Sequence, residues 1–182
     1  MIELRAFTET DVSLILDWIT TEEDMLLWSG TTFRWPLDAA QLAAMATEPD
    51  RRSWTAIDPR TGAAVGHVSL LVDPRHRTGR LGRIVTAPSA RGQGLGARLV
   101  DAALGVAFDE LRLHRVGLGV YSHNTTALRL YERSGFVREG VLRDVTSVNG
   151  SWWSSVEMGM LEHERPQRTP PGIPPGIAPA AH

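Results

Sequence analysis

The segment Arg91-Gly92-Gln93-Gly94-Leu95-Gly96 decides the fold assignment, because it is a glycine-rich loop between a predicted strand and a predicted helix. Its glycines carry no side chains, so backbone N–H groups can approach an anionic group closely. The positive end of the helix dipole adds a favourable field there, and Arg91 can supply a bidentate charged contact. The segment therefore predicts a phosphate-binding loop, although a glycine run can also serve only as a turn.

Two other phosphate-binding loops are disfavoured by the residues around this segment. Gly92, Gly94 and Ala97 formally satisfy the dinucleotide fingerprint G-x-G-x-x-[GA]. That fingerprint requires an acidic residue at the end of the next strand to hold a ribose. The next predicted strand ends in Tyr121-Ser122-His123, without an acid. A Walker loop requires a Gly-Lys pair, and the chain has no lysine.

Outward from the loop, the hydrophobic periodicity predicts helices first, then a meander of strands, then strand, helix and hairpin. Helices are expected to begin near Thr10, Thr21 and Asp38. Asn149-Gly150 predicts the tight turn of the last hairpin. Together the elements predict an α+β fold around one mixed sheet. Strands are expected at residues 2–7, 53–57, 64–72, 115–120, 137–147 and 152–161, and a further strand should end at residues 84–86. Helices are expected from the glycine loop to about residue 110 and over residues 125–134.

Length and composition predict one globular domain. The chain has 182 residues, of which 42% are hydrophobic and 22% charged. No apolar run is long enough to span a membrane, no signal peptide is recognisable, and the absence of cysteine fits a cytoplasmic protein. We expect a folded domain over residues 1–161 and a flexible, proline-rich tail over residues 162–182.

Charge is distributed unevenly along the chain. Residues 1–50 hold ten acids and two arginines, whereas the remainder holds eleven acids and seventeen arginines, for a net charge of −2. Six arginines and no acid lie between Pro74 and Val100. Such a field suits an anionic ligand on one side and a cationic one on the other, although solvated surface charge explains the pattern equally well. The negative net charge disfavours a nucleic-acid partner.

A second motif begins about thirty residues after the loop, at Asn124-Thr125-Thr126-Ala127-Leu128-Arg129-Leu130-Tyr131-Glu132-Arg133-Ser134-Gly135-Phe136. Asn124 is a typical helix N-cap, and Gly135 suits the position after the helix end. Structural needs alone explain each of these residues. The two motifs, in this order and at this spacing, resemble the acetyl-CoA loop and the N-x-x-A-x-x-x-Y-x-x-x-G-F signature of the GNAT N-acetyltransferases.

The resemblance covers residues 1–161 and implies a GNAT fold, which is a single mixed, mostly antiparallel sheet flanked by helices. Its splayed central strands would bind an acyl-CoA, and no metal is implied. The opening Leu4-Arg5-Ala6-Phe7 and the later Gly135-Phe136-x-x-Glu139-Gly140 are similar to the ribosomal-protein-alanine branch of the family. By resemblance, the residues that contact acetyl-CoA are Ile84, Val85, Thr86, Arg91, Gly92, Gln93, Gly94, Leu95, Gly96 and Asn124.

The implied reaction is direct attack of a neutral amine on the thioester, without a covalent enzyme intermediate. A backbone N–H near Val85 or Thr86 would stabilise the oxyanion. Tyr131 falls on the family's acid position and is the candidate proton donor to the departing thiolate. Packing of its ring, with only a hydrogen bond to the sulfur, is the other interpretation.

The sequence supplies no clear proton acceptor. Many relatives carry a glutamate in a Leu-Glu-Val strand, but this chain reads Leu118-Gly119-Val120. His123, His67, Glu22 and Asp144 remain candidates. A low-pKa acceptor amine, which is partly neutral at pH 7, would need no dedicated base.

The acceptor site is expected among aromatic residues near the early helices, with Trp28, Arg34 and Trp35 as binding residues. These tryptophans, with Phe33, Trp54, Trp152 and Trp153, could bind a protonated amine or simply pack the core. Arg34 could hold a carboxylate or peptide carbonyl, which favours a peptide N-terminus as acceptor. An aminoglycoside or other small amine is the second choice, and a non-catalytic acyl-CoA sensor is a third. The sequence leaves a homodimer open.

Overall fold

The computed structural model describes residues 2–166, so most of the predicted proline-rich tail lies outside the described residues. Seven strands and five α-helices make up this part of the chain, and a 3-10 turn at Glu162–Glu164 follows the last strand. The strands are β1 Glu3–Ala6, β2 Arg51–Ile57, β3 Ala64–Asp73, β4 Thr78–Thr86, β5 Arg115–Tyr121, β6 Val137–Val148 and β7 Ser151–Leu161. The helices are α1 Val12–Trp18, α2 Glu22–Ser29, α3 Ala39–Ala43, α4 Leu95–Gly105 and α5 Thr125–Arg133.

The seven strands form one sheet in the order β1-β2-β3-β4-β5-β7-β6. Every neighbouring pair is antiparallel except β4 and β5, which run parallel. Parallel neighbours need a long crossover, and here the glycine loop and α4 supply it. The sheet is therefore mixed and mostly antiparallel, as the sequence predicts.

The central strands β4 and β5 pair over only a short stretch. Thr78, Gly79 and Arg80 are in register with Arg115, Val116 and Gly117, and beyond that point the two strands diverge. A bulge in β4 interrupts its pairing with β3 between Gly82 and Val85, and Arg83 takes a left-handed backbone conformation with φ 52°. The β5-facing edge of β4 is consequently free to hydrogen-bond another molecule.

Helices cover the two faces of the sheet and bury two separate cores. On one face, α4 and α5 pack on β3, β4 and β5, where Leu99, Val100 and Ala103 are at most 1% exposed. On the other face, α1, α2 and α3 cover a second cluster around Ile15, Met25 and Leu42. Because side chains alternate along a strand, each diverging strand presents residues to both faces.

Local sequence signals explain most element boundaries. The Thr21 and Asp38 side chains cap α2 and α3 by accepting backbone N–H groups at 3.1 and 2.9 Å, as predicted. The predicted cap at Thr10 is wrong, because a 3-10 turn at Glu9–Asp11 comes first and α1 begins at Val12. The helix predicted to reach residue 110 is α-helical only to Gly105 and continues as a π-helical turn. The last hairpin turns at Asn149-Gly150, as predicted.

The buried carboxylate of Asp11 ties β1 to the start of α1. Arg5 donates two hydrogen bonds to it at 2.6 and 2.7 Å, and the Thr8 N–H donates a third at 3.0 Å. Burial alone would raise the pKa of Asp11, but these hydrogen bonds outweigh it and lower the pKa to about 2. The ionised carboxylate therefore stabilises the fold at neutral pH.

Replacing Asp11 with asparagine should lower the free energy of unfolding at pH 7 by about 2 kcal/mol, the equivalent of the pKa difference. Because the folded-state pKa lies below the unfolded one, the stabilisation is present above about pH 4 and disappears as the pH falls towards 2. Urea unfolding of Asp11→Asn between pH 7 and pH 3 measures it. Asp58→Asn, at an ion pair with the exposed Arg60, is the control and should change stability little. A pH-independent loss would contradict the electrostatic explanation.

Candidate active site

A cavity of about 410 Å³ lies between the diverging halves of β4 and β5. Residues 80–84 of β4 and 118–121 of β5 form its walls. The end of α2, the face of α5 and the middle of the β6–β7 hairpin close it. The cavity is therefore lined from both faces of the sheet, one carrying α5 and the other carrying α2.

The structure brings only some of the expected site residues to this cavity. Trp28, Ile84, Asn124 and Tyr131 line it. Val85 and Thr86 continue β4 towards the glycine loop and do not line the cavity, and neither do the loop residues 91–96. The loop lies where β4 leads into α4, after a 3-10 turn at Pro88–Ala90.

The glycine loop has the geometry of an anion site. Gly92 and Gly94 have φ of 75° and 71°, a left-handed conformation that glycine adopts without strain, and Gly94 precedes the first turn of α4. Within residues 2–166, no backbone carbonyl accepts a hydrogen bond from the N–H groups of Gly92, Gln93 or Gly94. A β-carbon at Gly96 would lie 2.8 Å from Leu130 Cδ1, so this glycine lets α4 pack against α5.

Two arginines give the loop a positive field. Arg77, Arg80 and Arg83 of the basic segment form ion pairs with acids elsewhere in the fold. Arg91 and Arg98 are exposed and form no ion pair with any described residue. These two charges near the start of α4 suit phosphate groups.

Tyr131 lines the cavity from the α5 side. Its ring meets Phe136 edge to face at 6.0 Å between centroids. No residue of the described chain hydrogen-bonds its hydroxyl, which leaves this donor available to a ligand. Burial raises the pKa of Tyr131 to about 12, so the phenol is protonated at neutral pH.

Asn124 sets the position of α5. Its side-chain oxygen accepts the Ala127 backbone N–H at 3.1 Å, which caps the helix. The capping role predicted for Asn124 is confirmed, and a contact with acetyl-CoA stays a prediction. The cap fixes the start of α5, and Tyr131 projects from the last turn of the same helix.

The space above Gly119 holds an ion pair that the sequence did not suggest. Gly119 of β5 lies directly opposite Glu157 of β7, and Glu157 is bonded through both carboxylate oxygens to Arg80 of β4, at 2.8 and 3.2 Å. A β-carbon at position 119 would lie 2.7 Å from both Glu157 Oε1 and Arg80 Nη2. Glu157 is the one carboxylate among residues 2–166 that lines the cavity. Strand β7 thus places the Glu157 carboxylate beside Gly119, the position on β5 at which this chain has no glutamate of its own.

His67 is a buried histidine of the core and does not line the cavity. Its Nδ1–H donates to the Arg83 backbone oxygen at 2.8 Å, and its ring meets Phe7 and Trp28 edge to face. Burial lowers the pKa of His67 to about 4, so the ring is neutral at pH 7.

The other three proposed bases also lie away from the cavity lining. His123 is exposed and packs against Trp153 with ring centroids 4.3 Å apart. Glu22 is exposed at the start of α2, and Asp144 is exposed on β6. None of the four candidates is therefore placed to accept a proton inside the cavity.

Trp28 is the expected acceptor-site residue that the structure places at the cavity. It is buried, and its ring stacks on Phe33 at 5.5 Å. Arg34 and Trp35 are exposed in the loop between α2 and α3, outside the lining. Trp54, Trp152 and Trp153 do not line the cavity either.

Two further arginines line the cavity from the α2 side, and we call Arg51 and Arg83 the arginine pair. Both share the carboxylate of Glu48, with Arg51 Nε at 2.8 Å and Arg83 Nη1 at 2.5 Å from its oxygens. The Arg83 guanidinium also lies 5.0 Å from the centre of the Phe33 ring. Its side chain is only 5% exposed, and burial lowers the pKa of Arg83.

Within residues 2–166, no helix has the length and apolarity to cross a bilayer. The same part of the chain contains no cluster of three histidine, aspartate or glutamate side chains placed to hold a metal ion.

Comparisons with curated proteins identify relatives that acetylate small amines. Spermidine N(1)-acetyltransferase of Vibrio cholerae is 34% identical over 99 residues, which cover 54% of this chain and 57% of that protein. Aminoglycoside N(6')-acetyltransferase type 1 of Klebsiella pneumoniae is 24% identical over 155 residues, covering 78% and 76%. The alignments span 42–57% of the length of the first relatives. These names do not specifically support the ribosomal-protein-alanine branch expected from the sequence.

The solved structures give the same fold. The crystal structure of spermidine N-acetyltransferase from Vibrio cholerae in complex with CoA and spermine has a TM-score of 0.78 and 25% identity, covering 90% of this chain and 96% of that one. The predicted fold is thereby confirmed. The family model described as "Acetyltransferase (GNAT) family" matches residues 18–136, which is more than half of the chain. The protein is a member of the GNAT acetyltransferase family.

Proposed function

We propose that this protein transfers the acetyl group of acetyl-CoA to the primary amine of a small molecule. The observation that carries the proposal is the cavity between the splayed strands, which has the Tyr131 hydroxyl on its α5 side and the Glu157 carboxylate opposite. The names of the spermidine and aminoglycoside acetyltransferases support a small amine over the peptide N-terminus expected from the sequence.

Acetyl-CoA would bind along the free edge of β4. The unpaired N–H groups of the loop, with Arg91 and Arg98, would hold the pyrophosphate and other phosphates. The backbone of Ile84, Val85 and Thr86 would pair with the pantetheine arm, because β5 has diverged from this part of β4. The thioester would then lie inside the cavity, near Tyr131.

The acceptor amine would approach from the α2 side of the sheet. Val156 and Met158 are buried in the core beneath α4 and α5, so Glu157 between them faces the opposite side. As the nitrogen forms its bond to the acetyl carbon, it gives up a proton, which the Glu157 carboxylate would accept directly or through one water. The carbonyl oxygen becomes an oxyanion, and a backbone N–H near Val85 or Thr86 would stabilise it.

Tyr131 would assist the departure of the thiolate when the carbon–sulfur bond breaks. Full transfer of a proton from a group with a pKa of about 12 to a free thiolate of about 8.5 is uphill by about 5 kcal/mol. The phenol therefore acts chiefly as a hydrogen-bond donor to the sulfur while negative charge develops on it. The products are the N-acetylated amine and CoA.

The glycine loop gives a direct test of donor binding. Gly94→Ala should weaken acetyl-CoA binding about tenfold, because a methyl group there would keep a phosphate from the backbone N–H groups and forfeit a charged hydrogen bond. Gly62→Ala is the matched control, since Gly62 also has φ 71° and nothing within 4 Å of the added β-carbon, but lies in the β2–β3 turn.

Thermal-shift titration of both variants with acetyl-CoA, and with NAD⁺ as a second ligand, measures the effect. For the parent protein, acetyl-CoA at a hundred times Kd should add about 2.7 kcal/mol of stability. Both variants should lose similar stability from backbone strain, and only Gly94→Ala should lose affinity. Equal affinity for acetyl-CoA in both, or stabilisation by NAD⁺, would contradict the assignment of the loop.

A further inference from the structure

The ionised side chains that line the cavity are mostly positive. Three arginines, Arg51, Arg80 and Arg83, face one carboxylate, that of Glu157. Arg80 and Glu157 neutralise each other through two hydrogen bonds. The charge that remains belongs to the arginine pair.

The arginine pair is only half neutralised within the fold. Its two positive charges share the single carboxylate of Glu48, which leaves a net charge of about +1 on side chains that are 14% and 5% exposed. Arg51 Nη1 also donates to Ser69 Oγ at 3.1 Å, which holds the guanidinium in place. Arg51 Nη2 and Arg83 Nε have no hydrogen-bond partner among the described residues. Poorly hydrated charge with free donors favours an anionic partner.

From this arrangement we infer that the acceptor carries an anionic group, of which a carboxylate is the simplest, together with its reacting amine, and that Arg51 and Arg83 bind that group. The inference rests on the proposed acetyl transfer and specifies its substrate class. The reacting amine would lie against Glu157 and the carboxylate against the arginine pair. The free nitrogens, Arg51 Nη2 and Arg83 Nε, can each donate a charged hydrogen bond to a carboxylate.

The same charges oppose a polyamine. When one amine of a diamine reacts, the other is an ammonium ion and would meet the arginine pair instead of a carboxylate. Of the acids in residues 2–50, only Glu48 pairs with Arg51 and Arg83. Glu22 and Glu23 are exposed at the far end of α2 and do not line the cavity. This chain should therefore differ in acceptor preference from the spermidine acetyltransferases that it resembles.

A matched set of acceptors tests the inference. The amines 4-aminobutyrate, 4-aminobutanamide and 1,4-diaminobutane have the same number of carbons and end in a negative, a neutral and a positive group. The same three amines with one carbon fewer and one carbon more test different distances between Glu157 and the arginine pair. We expect kcat/KM for CoA release to be about tenfold higher for the carboxylate than for the amide, as for one charged hydrogen bond, and lowest for the diamine.

Arg51→Gln should lower kcat/KM for the carboxylate about tenfold and bring the carboxylate-to-amide ratio close to one. Arg60→Gln, at an exposed pair in the β2–β3 turn, should leave the ratio at its parent value. A diamine that reacts as well as the carboxylate, or a ratio that Arg51→Gln does not change, would overturn the inference while leaving acetyl transfer intact. Absence of CoA release with every amine would overturn both proposals together.

Discussion

Replacement of Tyr131 by phenylalanine is expected to lower kcat about 10²-fold, because it removes the hydrogen bond to the sulfur while the carbon–sulfur bond breaks. The phenylalanine ring should keep the edge-to-face contact with Phe136, so the fold and the cavity walls should be retained. Steady-state release of CoA from acetyl-CoA in the presence of a reactive amine measures the effect.

Two further readouts separate this loss from a general defect of the Tyr131→Phe protein. The stabilisation by acetyl-CoA in a thermal-shift titration should match that of the parent, since the hydroxyl acts on the transition state. In the parent, kcat should not decline through ionisation of the phenol below about pH 10, because its pKa is raised to about 12. Unchanged turnover in Tyr131→Phe would remove Tyr131 from the mechanism.

Glu157→Gln is expected to lower kcat/KM at neutral pH by about 10²-fold, the lower end of the range for general acid–base catalysis. The amide keeps the shape of the side chain but cannot accept the proton of the amine. The loss should be smaller for an amine of pKa near 8 than for one near 10.4, because a larger share of the weaker base is already neutral at pH 7.

Glu139→Gln is the matched control for this variant. Glu139 also forms a cross-strand ion pair through both oxygens, with Arg115, but it does not line the cavity. Both variants leave one arginine unpaired, so a loss that arises only from a broken ion pair should be similar in the two. Equal activity of Glu157→Gln and Glu139→Gln would contradict the role of Glu157.

The fold and the donor loop were predictable because their signals are local in sequence. The segment from Arg91 to Gly96 needs only its own glycines and the following helix to form an anion site, and Asn124 caps its own helix. The anion site and the helix cap each depend on residues that lie within one or two helical turns of each other in the sequence.

The carboxylate of the site was not predictable because it depends on strand register. Glu157 reaches the space above Gly119 only because β7 pairs with β5 in one register, and Arg80 reaches it from the parallel strand β4. The expected alternatives, His67, His123, Glu22 and Asp144, follow from residue type alone. No periodicity in a single sequence fixes which residues of β5 and β7 lie opposite each other.

The arginine pair on the acceptor side was not predicted, for a related reason. The acidic N-terminal segment and the tryptophans indicated a site for a cation, but the acids of α2 face solvent away from the cavity. Arg83 enters the cavity because the bulge in β4 gives it a left-handed backbone, and Arg51 reaches it from β2. A β-bulge has no sequence signal strong enough for it to be predicted from a single sequence.

Acetyl transfer is tested most directly by mass spectrometry of the products after incubation of the protein with acetyl-CoA and 4-aminobutanamide, its carboxylate analogue or its diamine analogue. Acetyl transfer should give an N-acetylated amine and free CoA in equal amounts, and both should be lost together in Tyr131→Phe and Glu157→Gln. A protein that binds acetyl-CoA but acetylates none of these amines, as a non-catalytic sensor would, contradicts it, and so does CoA release without acetylated amine.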